Sequence, residues 1–272
     1  MSSQEQSTIE HFSTRQRLIS WISQRVFGNV EYTCRHGLLA GLKRKGGLGW
    51  LPASLSGSLE DEELRFWRAQ TFTDRVVYDV GAYHGLLGLY FAKSAQQVVC
   101  FEPNDYNRMR LTDNVSINRM TNVHVRPVGI GASVATGTLV YSPLMTGAAS
   151  IVPSDAPPRA GTEEAVRKSV AISTIDVEVN SGLVPPDFIK IDVEGLELAV
   201  LQGASQVLAE RRPELFLEMH GNSIQEKRAN VRAIVDFLVC AKYRILHIES
   251  GSLVVLDTAD VAMEGHLFAT PA

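Results

Sequence analysis

From residue 76 onward, short runs of apolar residues alternate with longer stretches whose apolar positions recur at helical spacing. The runs predict strands near 76–80, 97–101, 123–128, 188–191, 214–219 and 243–248. The stretches between them predict helices near 85–94, 105–118, 195–211 and 225–241. Two further β-like runs, Gly137–Tyr141 and Val170–Ile175, stand apart from this alternation, and the chain closes on a hairpin through Leu253–Leu256 and Leu267–Ala269. Strands alternating with helices imply an α/β fold, a mainly parallel sheet covered on both faces.

The residues before this part read differently. Residues 1–8 are polar and predict disorder, whereas His11–Val26 carries Phe12, Leu18, Ile19, Ile22 and Val26 at helical spacing. Glycines at 37, 41, 46, 47 and 49 break the next stretch, and Ser58 with Asp61 predicts a capped helix through about Phe72. Residues 1–72 are therefore expected to form a mainly helical N-terminal extension, and residues 73–272 the main domain. Residues 142–168, with prolines at 143, 153, 157 and 158, predict a mobile lid or a loop across a ligand.

Composition narrows the function. With 272 residues and 45% hydrophobic content the chain can bury a sizeable core. A net charge of −4 leaves no basic excess to neutralise phosphates, so a nucleic-acid partner is not expected. Cysteines 34, 100 and 240 form no Cys-x-x-Cys pair, which predicts neither a disulfide framework nor a zinc site. No apolar run reaches the roughly 18 residues of a membrane span, and Met1–Thr14 lacks the apolar core of a signal peptide, so the expected location is cytoplasmic. A homodimer stays open.

The most informative stretch is Val77–Gly88. An apolar strand runs through Asp79 into Gly81-Ala82-Tyr83-His84-Gly85, and a second strand ends on Glu102-Pro103-Asn104. A strand, a glycine turn, a helix and a second strand tipped with an acid about twenty residues on form a half-site for an adenosine, the acid accepting from both ribose hydroxyls. The spacing is Gly-x-x-x-Gly, with an acid two residues ahead, rather than Gly-x-Gly-x-x-Gly. It suits a ligand without a pyrophosphate and with a cationic amino group, S-adenosylmethionine rather than NAD.

Ligands of open parallel sheets bind beyond the carboxyl ends of the strands. Two further strand ends carry chemistry there: Asp192-Val193-Glu194-Gly195 and Glu218-Met219-His220-Gly221. Residues i and i+2 share a side of an extended chain, so Asp192 pairs with Glu194 and Glu218 with His220. If the two strands are neighbours, three carboxylates and an imidazole converge. Such a group could hold a divalent metal through oxygen ligands, take a proton from a hydroxyl or orient a polar substrate, and no His or Cys ligand pattern compels a metal. Lys190 reads as an internal ion-pair partner, and His84 as a residue lining the ligand.

Asp-Val-Gly-Ala-x-x-Gly at 79–85, Phe-Glu-Pro-Asn at 101–104, Asn114 with Asn118, Ser173–Asp176, Lys190-Ile-Asp-Val-Glu-Gly195 and Pro213 with Glu218-Met-His220 together resemble the FkbM family of methyltransferases. Gly46–Pro52 resembles the lead-in of some bacterial members. The resemblance spans about residues 75–250 and implies a class I, Rossmann-like sheet of seven strands with a reversed final hairpin. It also implies S-adenosylmethionine as cofactor and O-methylation of a polyketide or sugar-type hydroxyl, a small molecule or a glycan. By position, Asp79, Gly81 and Gly85 would lie against the methionine end, Glu102 at the ribose and Asn104 beside the adenine. Asn114 and Asn118, four apart on one helical face, would bind ligand or fix a loop. Family members commonly carry Asn where this chain has Tyr83, so backbone rather than amide contacts are expected there. Asp192, Glu194, Glu218 and His220 are the candidates for proton removal or acceptor orientation. The alternatives are an NAD(P)-dependent oxidoreductase and a non-catalytic nucleotide-binding regulatory protein.

Overall fold

The computed structural model describes residues 29–45, 61–142, 145–152, 165–221 and 223–272. The helix expected at His11–Val26, the lead-in at Gly46–Pro52 and the cap at Ser58 lie outside them.

The described part of the N-terminal extension is not helical throughout. Strands β1 (Glu31–Thr33) and β2 (Lys43–Lys45) pair antiparallel. Helix α1 (Glu62–Ala69) follows, capped by the Asp61 side chain accepting from Leu64 N at 2.8 Å. It ends three residues short of the expected Phe72 and drives Trp67 into the core, 4.2 Å from the Phe216 ring and beside Phe72, Phe91 and Phe188.

The alternating part begins with β3 (Val76–Val80), α2 (Leu86–Ala92), β4 (Gln97–Phe101), α3 (Asp105–Ile117) and β5 (Val123–Arg126). Next come the short β6 (Gly129–Ile130), β7 (Ala135–Ser142), β8 (Met145–Val152), β9 (Val166–Ser173) and α4 (Ile175–Asn180). The chain then forms β10 (Phe188–Ile191), α5 (Glu197–Gln202), α6 (Ser205–Glu210), β11 (Glu214–Glu218), α7 (Ile224–Cys240), β12 (Tyr243–His247), β13 (Ser252–Val254) and β14 (His266–Pro271).

The main sheet runs β13-β12-β14-β11-β10-β3-β4-β5, with β5, β4, β3, β10 and β11 parallel and β14 antiparallel to both its neighbours. It has eight strands rather than the expected seven, because β13 adds an antiparallel edge to β12. The last two runs do not pair with each other as a hairpin; β14 inserts between β11 and β12 instead. Every residue of β3 is buried. Val76, Tyr78 and Val80 face one core cluster, while Val77 faces a second that also holds Cys34, Leu39 and Trp67. The sheet is thus covered on both faces, as alternation predicts, and the N-terminal residues share its second core.

Three differences from the periodicity have local causes. The helix expected at 195–211 is broken between α5 and α6, where Gly203 packs so closely that a Cβ would stand 2.0 Å from Gly131 O. Asp176 restarts the chain as α6, its carboxylate accepting from Gln206 N and Val207 N at 2.9 Å. The expected loop at 142–168 contains β8, which pairs with β7 in a four-stranded sheet ordered β6-β9-β7-β8. β9 ends at Ser173, because Thr174 caps α4 through Val177 N. No helix among the described residues is long and apolar enough to cross a membrane.

Trp67 is fully buried among aromatic rings. Trp67→Ala is expected to cost about 3–5 kcal/mol, the usual range for deleting a large buried ring, measured by urea unfolding.

Candidate active site

β3 and β10 are register partners, with Lys190 opposite Asp79. Both side chains point to the second core, where neither can be solvated. Lys190 Nζ therefore gathers Asp79 Oδ1 at 3.4 Å, Asp192 Oδ2 at 3.1 Å and Gly81 O at 3.2 Å. Burial works against its charge, but Asp192, Asp79 and Glu218 outweigh that and raise its pKa. This is the ion-pair role expected of Lys190. Asp79 is correspondingly a buried counter-charge beneath the turn.

The glycine turn is set by backbone sterics. Gly81 has φ +80°, and a Cβ there would stand 1.8 Å from Asp192 O, so only glycine fits where β3 meets the exit of β10. Gly81 N and Ala82 N both donate to Phe101 O at 3.1 Å, and Tyr83 N donates to Glu102 Oε2 at 2.8 Å. Asn104 N occupies Glu102 Oε1 at 2.8 Å. The Asn107 side chain also hydrogen-bonds the Glu102 carboxylate. Burial raises the Glu102 pKa to about 7 against these bonds.

A cavity of about 200 Å³ opens over these strand ends. Gly81, Tyr83, Glu102 and Pro103 line it on one side and Asp192 and Glu194 on another; Leu139 of β7 and Ala149 and Ile151 of β8 complete its wall. The segment expected to cross a ligand thus contributes to the cavity as a strand. The other nominated cofactor residues lie behind its wall. Ala82 is buried, and Gly85 starts α2 in the left-handed region. His84 stacks on Tyr83 at 3.7 Å. Asn104 caps α3 by accepting from Tyr106 N at 3.0 Å. Asn114 and Asn118 fix a loop: Asn114 joins Lys45 N to His84 O, and Asn118 holds both polar groups of the Lys43 backbone.

The acids and the imidazole do converge, by another route than continued strand geometry. β10 ends at Ile191, and Glu194 turns left-handed at φ +54°. β11 is the parallel neighbour of β10. His220 Nε2 consequently lies 3.5 Å from Glu218 Oε1, 3.7 Å from Asp192 Oδ1 and 3.9 Å from Glu194 Oε2. Its Nδ1 faces a fourth carboxylate, Glu197 Oε1, at 3.0 Å. Glu197 is fully buried, and Gly195 N and Asn230 Nδ2 donate to it at 2.9 and 3.1 Å. Burial opposes the imidazolium, yet the bonds to Glu197 and Glu218 and the charges of Asp192 and Glu194 push its pKa up to about 11. Burial pushes Glu194 the other way, up to about 7. Periodicity and strand-end polarity do not point to Glu197 or Asn230; an acid inside the apolar run Leu196–Leu201 is the signal the sequence holds for the first.

Asp192, Glu218 and His220 each offer a ligand atom within 4.8 Å of the others. The set suits a divalent cation poorly. The Lys190 ammonium already sits on Asp192, and four carboxylates hold the imidazole protonated.

A central β3 flanked by parallel β4 and β10, a glycine turn, an acid at the end of β4 and β14 inserted antiparallel together define the class I methyltransferase arrangement. Residues 79–245 match the Methyltransferase FkbM domain, and the chain belongs to that family. It is 33% identical over 162 residues to the hexuronic acid methyltransferase AglP of Haloferax volcanii, covering 58% of this chain and 61% of that one. It is 28% identical over 156 residues to the methyltransferase sdnD of Sordaria araneosa, covering 48% of this chain and 60% of that one. The chain thus spans about three-fifths of the length of these relatives. Among solved structures it resembles the FkbM methyltransferase of Methylobacillus flagellatus KT, with a TM-score of 0.45 and 20% identity, over 75% of this chain and 45% of that one.

Glu197→Gln is expected to lower the His220 pKa by more than one unit, since each unit reflects about 1.4 kcal/mol of differential interaction. Titration of the imidazole by NMR reads this directly.

Proposed function

We propose that the chain is an S-adenosylmethionine-dependent O-methyltransferase acting on a hydroxyl of a sugar, glycan or natural-product acceptor. The observation that carries this reading is the cavity with Gly81, Tyr83 and Glu102 on one side and Asp192 and Glu194 on the other. The name of the hexuronic acid methyltransferase relative supports a sugar-type acceptor.

The residues fit the cofactor. The turn lets the backbone approach a ligand, the cavity-lining Glu102 carboxylate suits a ribose hydroxyl, and the carboxylates about His220 favour a cationic centre. When bound, S-adenosylmethionine supplies a methyl already activated on a sulfonium. The protein's task is then to hold an acceptor oxygen in line and to take its proton. Glu194 is the best-suited base: it lines the cavity, and its pKa near 7 matches neutral working conditions. His220, charged and held on Glu197, keeps Asp192, Glu194 and Glu218 together and is a positioning residue rather than the base. Asp192 and Glu218 orient the acceptor.

Calorimetry should show micromolar binding of S-adenosylhomocysteine and much weaker binding of NAD. Tight NAD binding without heat from S-adenosylhomocysteine would move the chain to the oxidoreductase reading. Ribose hydroxyls donating to Glu102 favour its ionised form, so its pKa falls on binding. Affinity should therefore rise as pH increases toward 7 and level off above it, with a proton released. Glu102→Gln should abolish that release.

Methyl transfer from labelled S-adenosylmethionine to a panel of hexuronic acids and neutral sugars, read by mass spectrometry, tests the acceptor. Glu194→Gln should reduce turnover about a hundred- to ten-thousand-fold while leaving S-adenosylhomocysteine affinity unchanged. Unchanged turnover would leave the reaction to positioning alone.

A further inference from the structure

Behind the Tyr83–His84 edge of the turn lies a second charged region that the proposed reaction does not use. Asn114 places three elements around itself: its Oδ1 accepts from Lys45 N at 2.8 Å and its Nδ2 donates to His84 O at 3.0 Å. This sets Arg44 of β2 beside the inward stripe of α3, where Arg110 stands one turn before Asn114. Both arginines are more than nine-tenths buried. Arg44 Nε and Nη1 have no hydrogen-bond partner, and the guanidinium only stands 5.9 Å from the centre of the Tyr32 ring. Arg110 lies 5.5 Å from the centre of the Tyr106 ring and has one long bond, 3.5 Å, to Asn29 Oδ1. His84 Nε2 is also buried without a partner.

No carboxylate among the described residues pairs with either arginine, although Asp113, on the same helix, pairs with Lys45 at 3.2 Å. Burying two guanidinium groups without a counter-ion opposes folding, so the arrangement asks for an anion from beyond the described residues. Both arginines press on His84; burial first, then their charges, lower its pKa to about 3, which leaves a neutral ring that adds no charge of its own. The region adjoins the cavity, because His84 stacks on cavity-lining Tyr83, and Asn107 lines the cavity and hydrogen-bonds both Glu102 and His84.

We infer that Arg44 and Arg110 form a carboxylate-binding subsite of the same active site. The planar fork of a guanidinium matches a carboxylate through paired N–H donors. The other side of the cavity excludes the alternative: its lining acids Asp192 and Glu194 would repel a carboxylate. A ligand carrying both charges must therefore lie with its cationic centre toward those acids and its carboxylate toward the arginines. This inference rests on the proposed cofactor reading for one of its two sources, the methionine carboxylate of the cofactor. The other source is an acidic acceptor such as a hexuronate.

Calorimetry with S-adenosylhomocysteine and its decarboxylated analogue, on the full chain and on Arg44→Met and Arg110→Met, separates these. If the cofactor supplies the carboxylate, the wild type prefers S-adenosylhomocysteine by about ten- to a hundredfold. Both variants then lose that preference and bind the decarboxylated analogue as before. If the acceptor supplies it, affinity for S-adenosylhomocysteine is unchanged in the variants, and the rise in melting temperature that glucuronate gives the wild type disappears. In either case the ligand-free Arg44→Met protein should melt at or above the wild type, because an unpaired buried charge has been removed.

Should neither nucleoside bind the wild type, the cofactor reading falls and glucuronate alone decides the subsite. Arg44→Lys and Arg110→Lys keep the charge but lose the fork, and should show part of the loss even if a methionine variant does not fold. Unchanged affinities for all three probes, with lower melting temperatures, would make the arginines structural and overturn the inference.

Discussion

A single buried ammonium joins the two strands on which the site is built. Lys190 reaches Asp79 on β3, Asp192 at the exit of β10 and the carbonyl of Gly81 in the turn. A charge so placed is costly to desolvate, and breaking such a buried pair typically costs about 3–5 kcal/mol. The pairing therefore fixes where the exit of β10 lies against the turn. That contact is close enough to demand glycine at 81, and the turn in turn presents Tyr83 N to Glu102. The Glu102 side and the acid side of the cavity are held in one register by this ion pair.

Charge around the cavity is uneven: the carboxylates gather with Lys190 and His220 on one side. Four carboxylates gather about His220, so an imidazole that would be neutral alone is held as a cation, which suits an anchor rather than a base. Burial brings Glu194 near neutrality, which suits the proton acceptance proposed for it. Across the turn, Arg44 and Arg110 sit without a carboxylate partner among the described residues. A zwitterionic ligand is oriented by such a field before any contact is made.

The parallel centre of the sheet and its strand-end acids belong to the FkbM match over residues 79–245. The β6–β9 sheet, which brings Leu139, Ala149 and Ile151 to the cavity, is where an acceptor's shape would be read. Strand β13 only extends the far edge of the main sheet, away from the site.

By itself, the sequence determined the alternating α/β architecture, the glycine turn, Glu102 at its strand end and the two acid-bearing strand ends, because apolar period and strand-end polarity are local properties. It also determined that Lys190, set between Ile189 and Ile191, needed an ion partner. Tertiary structure alone decided what depends on contacts between distant segments. Asn114 and Asn118 became ties to β2 only once β2 lay on α3. Glu197 met His220 only through the β10–β11 pairing. The inward position of Arg44, one of three consecutive basic residues, follows from that same docking of β2, since a run of like charges carries no record of which member will be buried.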